Sequence, residues 1–410
     1  MKRLITFWIL VMSTTPTFGQ QPLLSTVGRE LFDSYEEFKL PSITTRRFSQ
    51  TEMLGWVKPF QDQGVVATAP LGQSAEGRTI PLLTYGAGKT TVLLWSQMHG
   101  DEPTATMALM DILNFFSRAP EHFVTTTIRR NLTLRMIPMI NPDGAERFQR
   151  RTAQMVDMNR DAQRLETPEA RILKVARETY APQFGFNLHD QDPRYTVGNT
   201  KKVSAIALLA PAFDESRSDN DVRLPAKHLA ATFASVVSQF IGGHVSKYDD
   251  TFEPRAFGDN IQKWGTSTVL VESGGWAGDR EKMFLRKINA VGLLVSLYAL
   301  ANGDYRSTDL SVYEHLPFNT KYLYDVILRN ARFRANETAP ELRVDIGITI
   351  DERRNDEGTL ELVAKVVDIG DLSVYAAFEE IDATGRMVDS SLVKLDQPIP
   401  LEYLETLRKR

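Results

Sequence analysis

The chain contains no cysteine, which excludes disulfides, thiolate metal sites and cysteine nucleophiles together. Histidine is scarce as well, with six in 410 residues, so any metal must be held by a few imidazoles helped by Asp or Glu. An excess of positive charge is also missing. Lys and Arg number 48 against 52 Asp and Glu, a formal net charge of −4, which leaves no electrostatic footprint for nucleic acid. After the N-terminus no stretch reads as the run of roughly 20 apolar residues that a membrane helix needs, so no membrane span is expected in the mature chain. The 42% apolar and 24% charged residues are otherwise ordinary for a globular protein, and a small or peptidic partner is expected.

What is present is organised. Lys2 and Arg3 precede the apolar run Leu4 to Met12, and small and polar residues follow to Thr17-Phe18-Gly19-Gln20. This is the order of a secretory signal peptide, residues 1–19, and predicts export to the periplasm or the exterior. The length exceeds what one core usually serves, so a main domain plus a smaller one is expected. Residues 20–70 show helical patterning around Gln50 to Lys58 but no visible chemistry. In residues 71–302, short β-rich runs alternate with helical spacing. Ile80 to Tyr85 and Thr91 to Trp95, separated by Gly86-Ala87-Gly88, read as a hairpin. Helices follow from Pro103, over Pro168 to Tyr180, Leu224 to Phe240 and Glu281 to Leu300. Strands are expected over Leu132 to Met139, Phe184 to His189, Val203 to Leu209 and Thr268 to Glu272. Alternation of this kind predicts an α/β fold, a mixed and largely parallel sheet flanked by helices, with functional residues at the carboxyl ends of strands. After a linker at 303–320, alternating runs in 321–410 predict a small antiparallel β domain with no part in catalysis.

Three strand ends carry chemistry. His99-Gly100-Asp101-Glu102 lies between a strand and a helix, and an H-x-x-E pair there lets an imidazole and a carboxylate converge on one ion. His189 ends the strand Phe184 to Leu188. Two histidines and a glutamate make a nitrogen and oxygen set suited to catalytic zinc, with a fourth position left for water. Glu272 ends the strand Thr268 to Val271, ahead of Ser273-Gly274-Gly275. Taken singly, each has a bland explanation as a loop residue, a core histidine or a cap. Two of only six histidines falling at strand ends beside these carboxylates makes the joint coincidence improbable. The remaining histidines, His122, His228, His244 and His315, fall in helix or loop contexts.

H-G-D-E-P at 99–103, N-P-D-G at 141–144, D-M-N-R at 157–160, N-L-H-D at 187–190 and V-E-S-G at 271–274 together resemble the zinc carboxypeptidase family, in its carboxypeptidase A-like branch, over roughly residues 70–300. The resemblance implies a metallocarboxypeptidase that binds one Zn2+ per chain through His99, Glu102 and His189, with Glu272 as general base. It implies that Asn159 and Arg160 grip the terminal carboxylate of a peptide or protein substrate, a task suited to a planar guanidinium. It also implies an oxyanion arginine at Arg150, with Arg151 adjacent in register, and a substrate-capping tyrosine at Tyr248. Asp161 stands where the family commonly has Asn and would put a negative charge near the carboxylate site. Two other readings share these residues: a zinc amidohydrolase acting on peptidoglycan stem peptides or N-acyl amino acids, and an inactive peptide-binding protein. Intact ligands and base weigh against the latter.

Overall fold

In the main sheet, strands β1 (Ala67–Gln73), β2 (Thr79–Tyr85), β3 (Thr90–Ser96), β4 (Leu132–Ile137) and β5 (Phe184–Asp190) are joined by β7 (Ile206–Leu209), β8 (Val245–Lys247) and β9 (Ser267–Ser273). Their order is β1-β2-β4-β3-β5-β9-β7-β8. The computed structural model describes residues 23–354 and 359–408, so the signal-peptide reading of residues 1–19 lies outside the described residues. Pairing is parallel for β4–β3, β3–β5, β5–β9 and β7–β8 and antiparallel for β1–β2, β2–β4 and β9–β7. The expected α/β fold is therefore present as a mixed sheet.

One expectation fails at the start of this sheet. β2 and β3 are not a hairpin, because β4 lies between them. The Gly86-Ala87-Gly88 link lies directly on the chain entering β4: an added Cβ at Gly88 would fall 1.8 Å from the Asn131 carbonyl carbon. These glycines serve a close backbone approach rather than a two-strand turn.

Central strands such as Ser267–Ser273 are buried along their whole length, as a sheet covered on both faces requires. On one face Val92, Leu94, Phe186, Leu188, Val269 and Val271 pack in the main core cluster. The helices Thr104–Arg118, Arg223–Val237 and Met283–Asn302 contribute to the same cluster. Met283–Asn302 is long and apolar enough to cross a membrane by length and composition, contrary to the expectation that no later stretch approaches that length, yet 83% of its most apolar window is buried inside the protein. A helix enclosed by other elements has no polar face to keep. On the opposite face Leu93, Trp95, Leu173, Phe257 and Ile261 form a second cluster. The alternation of strand side chains then sends Asn187 and His189, Leu270 and Glu272 to this second face, where it opens into a cleft.

The N-terminal segment is part of the main core. Helices Leu24–Asp33 and Gln50–Asp62 place Val27, Leu31, Met53 and Val57 in the same cluster. Asp111 and Arg286, both fully buried, form a bidentate pair at 2.5 and 2.7 Å. Tyr35 Oη and the Leu40 amide also donate to Asp111, at 2.6 and 2.7 Å, while Arg286 donates to the Leu40 and Ile43 carbonyls.

Residues after 310 add a short strand β10 (Asn319–Thr320), paired with β6 (Thr196–Val197), and a second sheet. That sheet comprises β11 (Leu323–Phe333), β12 (Leu342–Arg354), β13 (Leu360–Gly370), β14 (Ala376–Asp382) and β15 (Pro398–Ile399) in the order β14-β11-β12-β13-β15. It is mixed rather than antiparallel, since β11 and β14 run parallel. The helix Leu401–Arg408 closes its core through Leu404 and Leu407.

Candidate active site

Two tight loops build the first corner. Gly100, inside H-G-D-E, packs on Gly144, inside N-P-D-G: a Cβ added at Gly100 would fall 2.0 Å from the Gly144 carbonyl carbon. Asn141 caps its helix by accepting from the Gly144 amide at 2.9 Å and donates to the Met98 carbonyl at 3.2 Å. Asp143 accepts from Ser74 and Arg78, each at 2.7 Å. Backbone meets backbone at this contact, so nothing flexible can give way. Gly100→Ala is expected to cost about 3 kcal/mol or more, at the upper end of overpacking effects, read as a lowered urea midpoint. A shift within experimental error would contradict the packing.

From this corner His99 and Glu102 face His189, at the end of β5. One ligand-type atom from each lies within 4.8 Å of the others, and all three residues are buried. Glu102 Oε1 is 2.7 Å from His99 Nδ1 and Oε2 is 2.6 Å from His189 Nδ1, so one carboxylate addresses both imidazoles. The backbone amide of Asp190 donates to the same Oε2 at 3.2 Å. Glu272 sits directly beside His189, its partner in the β5–β9 register.

Several observations test the fit of a metal. Two imidazoles and a carboxylate are the donor chemistry of a catalytic zinc position. His189 Nε2 and Glu272 Oε2 are buried without a hydrogen-bond partner, which is costly in a finished polar network. The cluster also draws in a cation, since Arg150 Nη1 lies 3.0 Å from His99 Nδ1 and 3.3 Å from Glu102 Oε1. The residues fit a divalent metal.

The electrostatics follow from burial and this one carboxylate. Burial opposes the charged imidazolium of His99, but Glu102 and Asp157 outweigh it and raise the group to about 9. His189 goes the other way, lowered by burial more than Glu102 raises it. Burial also opposes ionisation of Glu102, but the two histidines hold it well below the usual carboxylate range. Glu272 is pushed well above its ordinary value by burial and then by the charge of Glu102.

The other expected residues divide. Arg150, Asn159, Arg160 and Tyr248 line the same cavity as His99, Glu102, His189 and Glu272, a space of about 790 Å³. Asn159 is fixed by accepting from the Phe257 amide at 2.9 Å, and Arg160 lies 3.5 Å from Glu253. Arg151 is not brought into the cavity. Its exposed guanidinium donates to the Met155 carbonyl at 3.0 Å, so of the two adjacent arginines only Arg150 faces the site. Asp161 is likewise turned away from the cleft. Its carboxylate accepts from the Glu166 amide, the Thr167 amide and the Thr167 hydroxyl, which anchors the start of helix Pro168–Tyr180 rather than charging the cleft.

Several contributors were not singled out in the sequence. Asp157 reaches His99 Nε2 at 3.2 Å and Arg150 Nε at 3.0 Å, fixing both. It opens the D-M-N-R motif, so its motif carried the signal. Lys282, buried and in the left-handed region at φ 60°, donates to the Ser273 carbonyl at 3.3 Å and to the Gly274 carbonyl, holding the turn after Glu272. Arg46, from the N-terminal segment, and Asp325, Ile350, Glu352 and Phe378, from the second sheet, also line the cavity. The sequence shows no visible chemistry in the first of these regions and predicts no part in catalysis for the second.

Fold and cluster first define a class, that of α/β proteins with a buried His-Glu-His cluster able to hold a metal at the carboxyl ends of sheet strands. Within that class, residues 54–192 match the family model described as zinc carboxypeptidase. Carboxypeptidase 2 of Trichophyton tonsurans is 26% identical over 152 residues, 34% of this chain and 28% of that protein. Carboxypeptidase 2 of Trichophyton rubrum is 26% identical over 170 residues, 39% of this chain and 31% of that protein. The chain thus spans under a third of the length of these curated relatives. In fold it is similar to a metallo-carboxypeptidase from Burkholderia cenocepacia, with a TM-score of 0.50, 18% identity and coverage of 62% of this chain and 70% of that one. It is also similar to bovine thrombin-activatable fibrinolysis inhibitor, with a TM-score of 0.50, 13% identity and coverage of 63% and 98%.

Proposed function

We propose that the protein is an exported carboxypeptidase that removes single residues from the C-termini of peptides, holding zinc with His99, Glu102 and His189. The observation that carries this reading is the juxtaposition, in one cavity, of the His-Glu-His cluster, the unpartnered Glu272 carboxylate and the Asn159–Arg160 pair. When bound, the ion supplies polarisation of a water and of the scissile carbonyl.

The remaining work falls to the chain's own groups. Arg160 takes the terminal carboxylate by charge-assisted hydrogen bonds, and Asn159, pinned by Phe257, donates beside it. Glu272 accepts the proton of the attacking water and returns it to the departing amine. Arg150, aimed by Asp157, donates to the oxygen that develops charge. Tyr248, half-buried at the cavity edge, covers the bound residue and excludes water. The basic, apolar and small-residue order of positions 1–19 supports export.

The test uses peptides with free and with amidated C-termini. The wild type is expected to release the last residue only from the free form. Arg160→Ala should lower kcat/KM on free peptides by about 10–100-fold, the worth of one or two hydrogen bonds to a charged group, and erase most of the discrimination. Equal cleavage of both forms by the wild type would sink the carboxypeptidase reading in favour of another amide hydrolysis.

A further inference from the structure

The loops that follow the two site strands are held by the second sheet. After β5, Arg194 reaches Asp351 at 2.8 Å and Asp325 at 3.3 Å, while Asn319, from β10, donates to Gln191 at 2.6 Å. After β9, Phe378 lies on Gly275, where an added Cβ would meet its ring at 2.9 Å and the Pro193 carbonyl at 2.5 Å. Glu352, nearly buried, gathers Arg280, Arg46 and Arg47 at 2.9, 2.8 and 2.5 Å. The second sheet is thus fastened to the cleft mouth at three points, through Arg194, Phe378 and Glu352.

Strand register orders the cleft. Asn187, Leu270 and Leu209 are aligned across β5, β9 and β7, two residues before the His189–Glu272 level on the first two strands. The carboxylate-binding side lies at that lower level, since Asn159 holds the Phe257 amide and the adjoining Gly258 approaches the Asn187 side chain, 3.1 Å from an added Cβ. The second sheet meets the chain beyond that level, five residues after His189 and three to eight after Glu272. The metal cluster and base therefore lie between Arg160 and the second sheet. A peptide anchored at Arg160, with its scissile bond at Glu272, must continue toward the second sheet, because each extended residue advances the chain by about 3.3–3.6 Å.

Resting on the carboxypeptidase reading, we propose that the C-terminal sheet forms the binding wall for the residues preceding the scissile bond, and that it favours an apolar side chain seated between Phe378, Ile350 and Trp276. Phe378, Ile350 and Trp276 are partly buried and line the cavity together with buried Val326. They give it an apolar lining rimmed by ion pairs, the composition of a specific ligand pocket. Continuity of this wall with the catalytic cavity identifies the occupant as the substrate's own upstream chain.

The experiment compares full-length wild type, Phe378→Ala and Phe378→Leu on blocked tetrapeptides whose two residues before the scissile bond are Leu or Gly, and on N-acyl amino acids with long acyl chains. Wild type should prefer Leu over Gly by about 10-fold or more in kcat/KM, the factor that burying one aliphatic side chain supplies. Phe378→Ala should remove most of this preference, and Phe378→Leu should restore part of it. A merely structural role would lower the rates on all substrates together. The same peptides bound to Glu272→Gln give the ratio as Kd without turnover. Absent turnover with a Leu/Gly preference in Kd would overturn the peptidase reading and leave the wall standing. No preference in either readout, a preference that survives Phe378→Ala, or better use of N-acyl amino acids than of peptides would overturn the wall proposal.

Discussion

Glu272→Gln is expected to lower kcat by about 10²–10⁴-fold, the range assigned to a general acid-base group, while the metal content stays unchanged. Glutamine has nearly the same shape, so the β5–β9 register and the packing at the end of β9 should persist. What it lacks is basicity. Glu272 is not one of the three residues whose donor atoms converge, and one of its oxygens is buried without a partner beside that cluster. On the proposed reading it acts on a water rather than completing the ligand set. Steady-state kinetics on a blocked dipeptide and metal analysis of the same preparation check the split. Loss of metal together with activity would reassign Glu272 as a ligand, and retained activity would remove it from the mechanism.

The largest stability effect is expected at Asp111. Asp111→Ala should destabilise the protein by about 3–5 kcal/mol, because removal of one partner leaves a buried charge uncompensated. Arg286 would keep the Leu40 and Ile43 carbonyls but lose both carboxylate contacts, and the Tyr35 hydroxyl and Leu40 amide would lose their acceptor. The double variant Asp111→Ala with Arg286→Met should recover part of the loss, since an apolar replacement of the whole pair carries no buried charge. Urea unfolding of the two variants measures the difference. Because Tyr35, Leu40 and Ile43 belong to the N-terminal segment, Asp111→Ala should also make residues 24–60 the first to be cut by a protease. A double variant no more stable than the single one would show that the pair's charge is not what the segment depends on.

Sequence reached the core of the site because its signals are local or periodic. The H-G-D-E-P turn, the strand alternation that turns His189 and Glu272 to one face, and the buried run of β9 can all be read from neighbouring residues. It failed where two segments distant in the chain decide the outcome. Gly86 and Gly88 look like a turn, but the chain entering β4 approaches them so closely that only glycine fits, and β4 then separates β2 from β3. Arg150 and Arg151 are indistinguishable as letters. Asp157 selects the first by drawing it over His99, while Arg151 finds the Met155 carbonyl. Asp161 looked like a charge in the cleft, and three hydrogen bonds from Glu166 and Thr167 put it to structural use. Glu352 and Phe378 are ordinary strand residues in sequence, and only the docking of the second sheet brings them to the cavity. The apolar run in Met283–Asn302 was underestimated for the same reason, since enclosure by other helices lets a soluble-type core helix be apolar all round.

The central claim is that His99, Glu102 and His189 hold one zinc ion on which C-terminal trimming depends. Its most direct test is metal analysis of the purified chain, paired with release of the last residue from a free peptide before chelation, after chelation and after readdition of zinc. The account predicts about one zinc per chain, activity lost on chelation and regained with zinc, and no stoichiometric zinc in His189→Ala. Activity that persists in fully metal-free protein, or zinc that remains stoichiometric in His189→Ala, would contradict it.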